Sequence, residues 1–233
     1  MNTQKNSNTA ILLFSRTAKE EIKFKNWSTS KSALQNLSVT KALIAKAKQS
    51  AKGSGLDLVI SNELDQEGNN FGERFCNAVE RVFQAGFEKV IVIGNDCVSM
   101  NSQLINHAAE LLKENSSVLG PALDGGVYLV GLTANDYQRE NMLHLPWEST
   151  KLAEACADEL DCSLNLLPSA LDLDNANDVE QFFKDSSLSC SKLFNQLKSI
   201  LQAAAKQAIC IGSFVPMQGA RNSEINKGPP KAA

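Results

Sequence analysis

With 233 residues and a mass of 25.2 kDa, the chain has the length of one large α/β domain with a tail. A hydrophobic content of 43% and a charged content of 21% exclude a globally disordered protein. The formal net charge of −3 excludes a general nucleic-acid binder, and six cysteines without a Cys-x-x-Cys pair argue against a zinc or disulfide scaffold. The apolar run Ala10–Phe14 is too short for a signal peptide or a membrane span, so we expect a cytoplasmic protein.

Short apolar runs alternate with segments of helical periodicity along the whole chain. In chain order we predict a strand at 11–14, a helix at 32–52, a strand at 56–61, a helix at 71–85, a strand at 89–93, a helix that begins at Asn101 or Ser102, strands at 117–119 and 127–132, a helix at 148–160, a strand at 164–167 and helices at 177–184 and 191–207. This alternation is typical of parallel β-α-β units. We therefore expect a three-layer α/β/α sandwich with a mostly parallel central sheet.

The periodic pattern ends near Asp185, beyond which the composition changes. Ser, Ala and Gln come first, and Gly, Pro, Asn and Lys dominate the last twenty residues or so. We predict one domain over residues 1–187, a C-terminal helix over 188–211 and a disordered tail over 212–233. Residues beyond Asp185 are expected to be dispensable for the fold.

Familiar phosphate-binding and nucleophile motifs are absent from the sequence. It contains no Gly-x-Gly-x-x-Gly, no Gly-x-x-x-x-Gly-Lys-Ser/Thr and no Gly-x-Ser-x-Gly. Of the two histidines, His107 is interpreted as a surface residue of a helix, and His144 is a weak catalytic candidate in an irregular stretch. What remains is carboxylate chemistry at the ends of strands.

Three acidic clusters follow or flank predicted strands. Asp96 comes directly after the most β-branched strand, Asp124 lies in the Gly-rich segment between two strands, and Asp172 and Asp174 precede a short helix. Ligands of parallel sheets bind beyond the carboxyl ends of the strands, where paired carboxylates suit a divalent cation. Each cluster, however, has the composition of an ordinary turn or helix cap as well. If the fold gathers them, these four carboxylates surround one cleft.

Three longer strings of residues, at 66–75, 90–97 and 118–132, carry a resemblance. The most specific is Gly-Pro-Ala-Leu-Asp-Gly-Gly-Val-Tyr, which begins at Gly120. In order and spacing they resemble a small bacterial GT-A-like glycosyltransferase family that includes an enzyme attributed to arsenosugar biosynthesis. The resemblance covers about residues 10–184 and implies the nucleotide-diphospho-sugar transferase fold, shared with the molybdenum-cofactor and coenzyme-F420 guanylyltransferases.

The resemblance also implies roles for individual residues. A Mg²⁺ or Mn²⁺ ion is expected at Asp96, Asp172 and Asp174, and the sugar or acceptor pocket at Asp124, Gly125 and Gly126, with Asp124 as the base. Asn95 and Arg74 are expected to contact substrate. The loop after the first strand departs from the family because it lacks Gly and Pro, yet it retains cations able to neutralise a diphosphate, namely Arg16, Lys23 and Lys25.

The predicted function is transfer of a sugar from a nucleotide-diphosphate-sugar donor to an unknown small acceptor, with a divalent metal. We expect no nucleic-acid partner and no membrane span. One alternative is a nucleotidyltransferase of the same fold, although no glycine precedes Gly53 to wrap a triphosphate. The other alternative is a non-catalytic protein that binds a nucleotide sugar. The altered loop after the first strand is consistent with such a protein.

Overall fold

The computed structural model describes residues 8–27, 32–114, 117–160, 165–185, 188–189 and 191–212, the last ten as helical backbone only. Its strands are β1 (Thr9–Phe14), β2 (Asp57–Ser61), β3 (Lys89–Ile93), β4 (Ser117–Pro121), β5 (Val127–Thr133) and β6 (Asn165–Leu166). They form one sheet in the order β2-β1-β3-β5-β4-β6. Only β5 runs antiparallel to its neighbours within this sheet. The predicted, mostly parallel α/β fold is confirmed.

Helices cover both faces of the sheet. They are α1 (Ala18–Glu21), α2 (Ala33–Gly53), α3 (Phe71–Gln84), α4 (Ser102–Glu114), α5 (Arg139–Leu143), α6 (Leu152–Glu159), α7 (Ala176–Lys184) and α8 (Lys192–Gly212). Alternate residues of β1 point to opposite faces, as a period of two requires. Ala10 and Leu12 pack with α3, α5 and α6, whereas Ile11 and Leu13 pack with α2 and α4. Three layers result. No helix in the described ranges is long and apolar enough to cross a membrane.

The predicted elements agree with the structure except in a few places. The short helices α1 and α5 were not predicted, because four or five residues are too few to show a helical period. The helix predicted from Glu148 begins only at Leu152, since Glu148 has a φ of +62°, outside the right-handed helical region.

The C-terminal helix α8 packs on α2 and α7. Leu193, Phe194 and Leu197 are buried in a cluster with Leu43 and Phe182. This packing argues against the expectation that residues beyond Asp185 are dispensable for the fold. The predicted division of the chain near residue 187 stays a prediction, and nearly all of the predicted tail, 213–233, lies outside the described residues.

The direction of the strands brings the acidic clusters to one edge of the sheet. The carboxyl ends of β1, β3 and β6 lie at this edge because these strands run parallel. The tight connection from β4 to β5, which contains Asp124, lies there too, since β5 reverses the chain direction. The loops with Asp96 and Asp172 therefore meet this turn.

Candidate active site

A cleft of about 920 Å³ opens at this edge of the sheet. Its walls come from the loops after β1, β2, β3 and β6, the β4–β5 turn, the start of α3 and the segment before α6. Nine of the eleven residues predicted for the site line it, namely Arg16, Lys25, Arg74, Asn95, Asp96, Asp124, Gly126, Asp172 and Asp174.

The other two predicted residues do not line the cleft. Lys23 points its ammonium to Glu20, 2.6 Å away, and its side chain is 63% exposed. Gly125 has a φ of +89°, and a Cβ on it would lie 1.9 Å from the carbonyl oxygen of Thr150. Its own carbonyl oxygen accepts a hydrogen bond from the backbone N–H of Ala153. Gly125 therefore holds the β4–β5 turn against the segment before α6.

Lys25 lies among carboxylates. Its Nζ contacts Asp96, lies 2.5 Å from Oδ1 of Asp174 and 3.3 Å from Oε1 of Glu21. Burial opposes the charged form of Lys25, but the three carboxylates outweigh it and raise the pKa of the ammonium group. Lys25 is therefore a positive charge held at the centre of the acidic cluster.

Among the described residues Asp172 forms no ion pair, although the nearby charge of Lys25 favours its ionised form. Its Oδ1 atom is buried without a hydrogen bond among the described residues, and so is Nδ2 of the neighbouring Asn95. Burial, followed by the charges of Asp96, Asp174 and Asp124, raises the pKa of Asp172 to about 9. Two buried polar atoms without partners, on residues that line one cleft, are a feature that a bound ion or an ordered water would account for.

Hydrogen bonds join the two loops that carry these carboxylates. The backbone N–H of Leu173 donates to the carbonyl oxygen of Asp96, and that of Val98 donates to Leu171, both at 3.1 Å. From α2, Nζ of Lys46 donates to the carbonyl oxygens of Cys97 and Met100, at 3.0 and 2.7 Å. The loop of Asp96 is thus fixed from two sides.

Sequence reasoning missed several residues of this site. Glu21 is a carboxylate with a 3% exposed residue surface, and Glu63 lines the cleft and accepts hydrogen bonds from the backbone N–H and hydroxyl of Thr17. Lys46 was missed as well. A lysine four residues after Ala42 and three after Leu43, on the buried face of α2, was the available signal, because such a cation needs oxygen partners.

Residues 28–149, more than half of the chain, match the family described as "Uncharacterized protein conserved in bacteria (DUF2064)". The chain belongs to the DUF2064 family. The matched part contains Arg74, Asn95, Asp96 and Asp124, and it ends before Asp172 and Asp174. No curated protein matches the chain in sequence.

A solved structure shares the fold of this DUF2064 protein, and others are less similar to it. A proposed nucleotide-diphospho-sugar transferase from Desulfovibrio desulfuricans G20 is similar with a TM-score of 0.73 and 20% identity, over 86% of this chain and 98% of that one. Rv0371c of Mycobacterium tuberculosis H37Rv, in complex with manganese, has a TM-score of 0.44 and 12% identity, over 76% and 98%. A cytidylyltransferase from Leptospira borgpetersenii has a TM-score of 0.39 and 12% identity, over 90% and 99%. The first shows the nucleotide-diphospho-sugar transferase fold; at TM-scores below 0.5 the other two have no bearing on this chain's chemistry.

The acidic cluster has the donor chemistry of a magnesium or manganese site. As the side chains lie, no three Asp, Glu, His or Cys residues of the described ranges converge to hold a metal ion. The ammonium of Lys25 stands between Asp96 and Asp174 as a substitute cation, with the unpartnered Oδ1 of Asp172 in the same cleft. Carboxylate oxygens are the ligands that Mg²⁺ and Mn²⁺ prefer. The cluster therefore has oxygen donors of the type that a divalent cation binds, at the place where the ammonium of Lys25 lies.

Replacing Asp172 with asparagine is expected to stabilise the protein. In the unfolded chain this carboxyl loses its proton near 3.8, whereas the fold raises its pKa to about 9. Between these values the folded state binds more protons, so the free energy of unfolding falls as pH rises from about 4 to about 9. Asparagine removes this dependence. We expect the free energy of unfolding at pH 8 without added metal to rise by about 1–2 kcal/mol, which corresponds to a rise in Tm of about 2–8 °C.

Thermal unfolding of both proteins at pH 5, 7 and 9 measures this effect, with the exposed Asp57→Asn as a matched control. A gain that is equal at all three pH values, or absent, would show that Asp172 is not held protonated by the cleft.

Proposed function

We propose that this DUF2064 protein transfers a sugar from a nucleoside-diphosphate sugar to a small acceptor with the help of Mg²⁺ or Mn²⁺. The observation that carries the proposal is the cleft itself, in which four aspartates, four glutamates and three cationic side chains line one cavity at the carboxyl edge of the sheet. Diphosphate sugars need a cation for their phosphates and a carboxylate for the acceptor, and both types of group are present.

The donor phosphates are assigned to the cationic side of the cleft. Arg16 presents a guanidinium group, which can bind two phosphate oxygens at once. Asp96, Asp172 and Asp174 would hold the divalent cation, which neutralises the charge of the leaving diphosphate when bound. Lys25 would then give up its carboxylate partners and turn to a phosphate. Lys23 has no part in this proposal.

The acceptor side is assigned to the β4–β5 turn. The acceptor hydroxyl oxygen bonds to the anomeric carbon of the donor sugar, and the bond from that carbon to the diphosphate oxygen breaks, its electron pair leaving with the nucleoside diphosphate. Asp124 receives the hydroxyl proton. Its Oδ1 accepts the backbone N–H of Gly126 at 2.9 Å, which fixes the carboxylate in the cleft and leaves Oδ2 for the proton.

Replacing Asp96 with asparagine tests this assignment. Asparagine keeps the shape but removes the charge, so the fold should survive while the cation-dependent affinity for the donor falls about ten- to hundredfold. Calorimetry with UDP-, GDP- and TDP-sugars, each with and without Mg²⁺ or Mn²⁺, measures the affinity. Asp57→Asn, an exposed carboxylate at the edge strand, should behave as the wild type.

Affinity that is the same in all proteins and independent of metal would overturn the metal-dependent transferase and favour the nucleotide-sugar binding protein instead. Binding of a nucleoside triphosphate in preference to every sugar donor would favour the nucleotidyltransferase.

A further inference from the structure

One side of the cleft is formed by an aromatic wall, Phe14, Phe71 and Trp147. The rings of Phe14 and Phe71 meet edge to face at 5.5 Å, and those of Phe71 and Trp147 lie 5.1 Å apart with 33° between their planes. All three residues are partly exposed in the cleft, although rings of this size are usually covered. The wall is thus an apolar surface of aromatic rings that lines the cleft.

The wall is rigid. Phe75, which is 3% exposed, supports it from below at 4.6 Å from the ring of Trp147 and 5.9 Å from that of Phe14. A Cβ on Gly72 would come within 2.8 Å of Nε1 of Trp147, so the indole packs directly on the helix backbone. That Nε1 donates to the carbonyl oxygen of Met142 at 2.8 Å. The indole is therefore held in place and has no free hydrogen-bonding group for a ligand.

A guanidinium group without a partner lies beside this wall. Arg74 is one turn beyond Phe71 on α3 and lines the cleft. Among the described arginines it alone forms no ion pair or side-chain hydrogen bond, whereas Arg16, Arg81 and Arg139 each pair with a carboxylate. An unpaired guanidinium next to exposed ring faces complements a ligand that is both aromatic and anionic.

We propose that the aromatic wall and Arg74 form the acceptor subsite and that the acceptor carries an aromatic ring and an anionic group, a carboxylate or a phosphate. This inference rests on the proposed function, because it supposes a transfer reaction. The ring stacks on Phe71 and Trp147, the anion pairs with Arg74, and the acceptor hydroxyl points to Asp124. In this arrangement Arg74 serves the acceptor, and Arg16 and Lys25 serve the donor phosphates.

The nucleobase of the donor is the competing occupant of the wall. A base is bound by stacking together with hydrogen bonds to its edge, and the anionic phosphates of its nucleotide are separated from it by the ribose, whereas Arg74 lies one turn from Phe71. The polar atom of the wall, Nε1 of Trp147, is already taken, and the free group is a cation. A charged ring therefore matches the wall better than a base does.

Naphthalene-2-carboxylate is a suitable probe because it joins a stacking ring to a carboxylate. Calorimetry should detect binding of this probe to the full chain. The binding should persist when uridine diphosphate and Mg²⁺ are present at saturating concentrations. Arg74→Gln and Phe71→Leu should each weaken the binding at least tenfold. Arg81→Gln, which lies two turns further along α3 and pairs with Asp65, should leave it unchanged. Neutral 2-naphthol should bind at least tenfold more weakly.

The outcomes separate this inference from the proposed function. Competition between uridine diphosphate and the probe would assign the wall to the nucleobase and overturn the inference, as would equal affinity for 2-naphthol, no probe binding, or variants without effect. Probe binding with the expected losses, in a protein that binds no nucleotide sugar, would retain the aromatic-anion subsite and overturn the transferase.

Discussion

Shortening Leu197 to alanine is expected to lower the free energy of unfolding by about 2–5 kcal/mol. Leu197 is fully buried where α8 packs on α2 and α7, in one cluster with Val39 and Phe182. Removing the methine and the two methyl groups there costs their transfer free energy and leaves a cavity that the surrounding helices fill only in part. Such a loss is a large fraction of the stability of a typical domain.

Chemical denaturation of the full chain measures the loss, with the neighbouring Gln196→Ala as the control because Gln196 is exposed on the same helix. If the two variants unfold at the same denaturant concentration, α8 does not belong to the core, and the expectation that the chain beyond Asp185 is dispensable would be restored.

The position of α8 illustrates what a sequence shows and what it does not. Its helical period was predictable, since Leu193, Leu197 and Ile200 recur at spacings of four and three. The surface against which that face packs lies 150 residues earlier, on α2, and no local pattern records such a long-range contact. The change to Ser, Ala and Gln near Asp185 therefore marked a change of composition and not the end of the core.

The gathering of the carboxylates was predictable for a simple physical reason. Parallel strands bring their carboxyl ends to one edge, so residues that follow β3 and β6 lie at the same edge of the sheet. The position of Asp124 depends on β5 running antiparallel to β4. The short connection between these two strands permits the reversal, but the alternation of strands and helices in the sequence did not predict it.

The choice between Lys23 and Lys25 could not be made from the sequence. Both lie in an irregular loop two residues apart, and their side-chain directions depend on the turn after α1. In the structure Lys25 contacts Asp96 and Asp174 from the other side of the cleft, whereas Lys23 pairs with Glu20 in solvent. Tertiary contacts decide between equivalent residues, and the same applies to Lys46.

Replacing Lys25 with methionine should have opposite effects on metal and donor. The change removes the cation that Glu21, Asp96 and Asp174 share, so without metal the protein should lose about 3 kcal/mol of stability. This is the lower end of the range for a buried ion pair, because Asp174 is 38% exposed. Mn²⁺ should bind more tightly than to the wild type, since it no longer competes with an ammonium group, and should recover most of the lost stability. Donor affinity at saturating Mn²⁺ should fall tenfold or more, because a cation for the phosphate is missing.

Lys23→Met is the matched control, as it removes the same charge from the same loop at a side chain that is 63% exposed. It should change neither Mn²⁺ affinity, measured by electron paramagnetic resonance without donor, nor the Tm. Weaker Mn²⁺ binding to Lys25→Met than to the wild type would mean that the lysine supports the cation site and does not occupy it. Equal donor affinity in the two variants at saturating Mn²⁺ would mean that Lys25 never reaches the phosphates, and its role would then be confined to balancing the charge of the carboxylates.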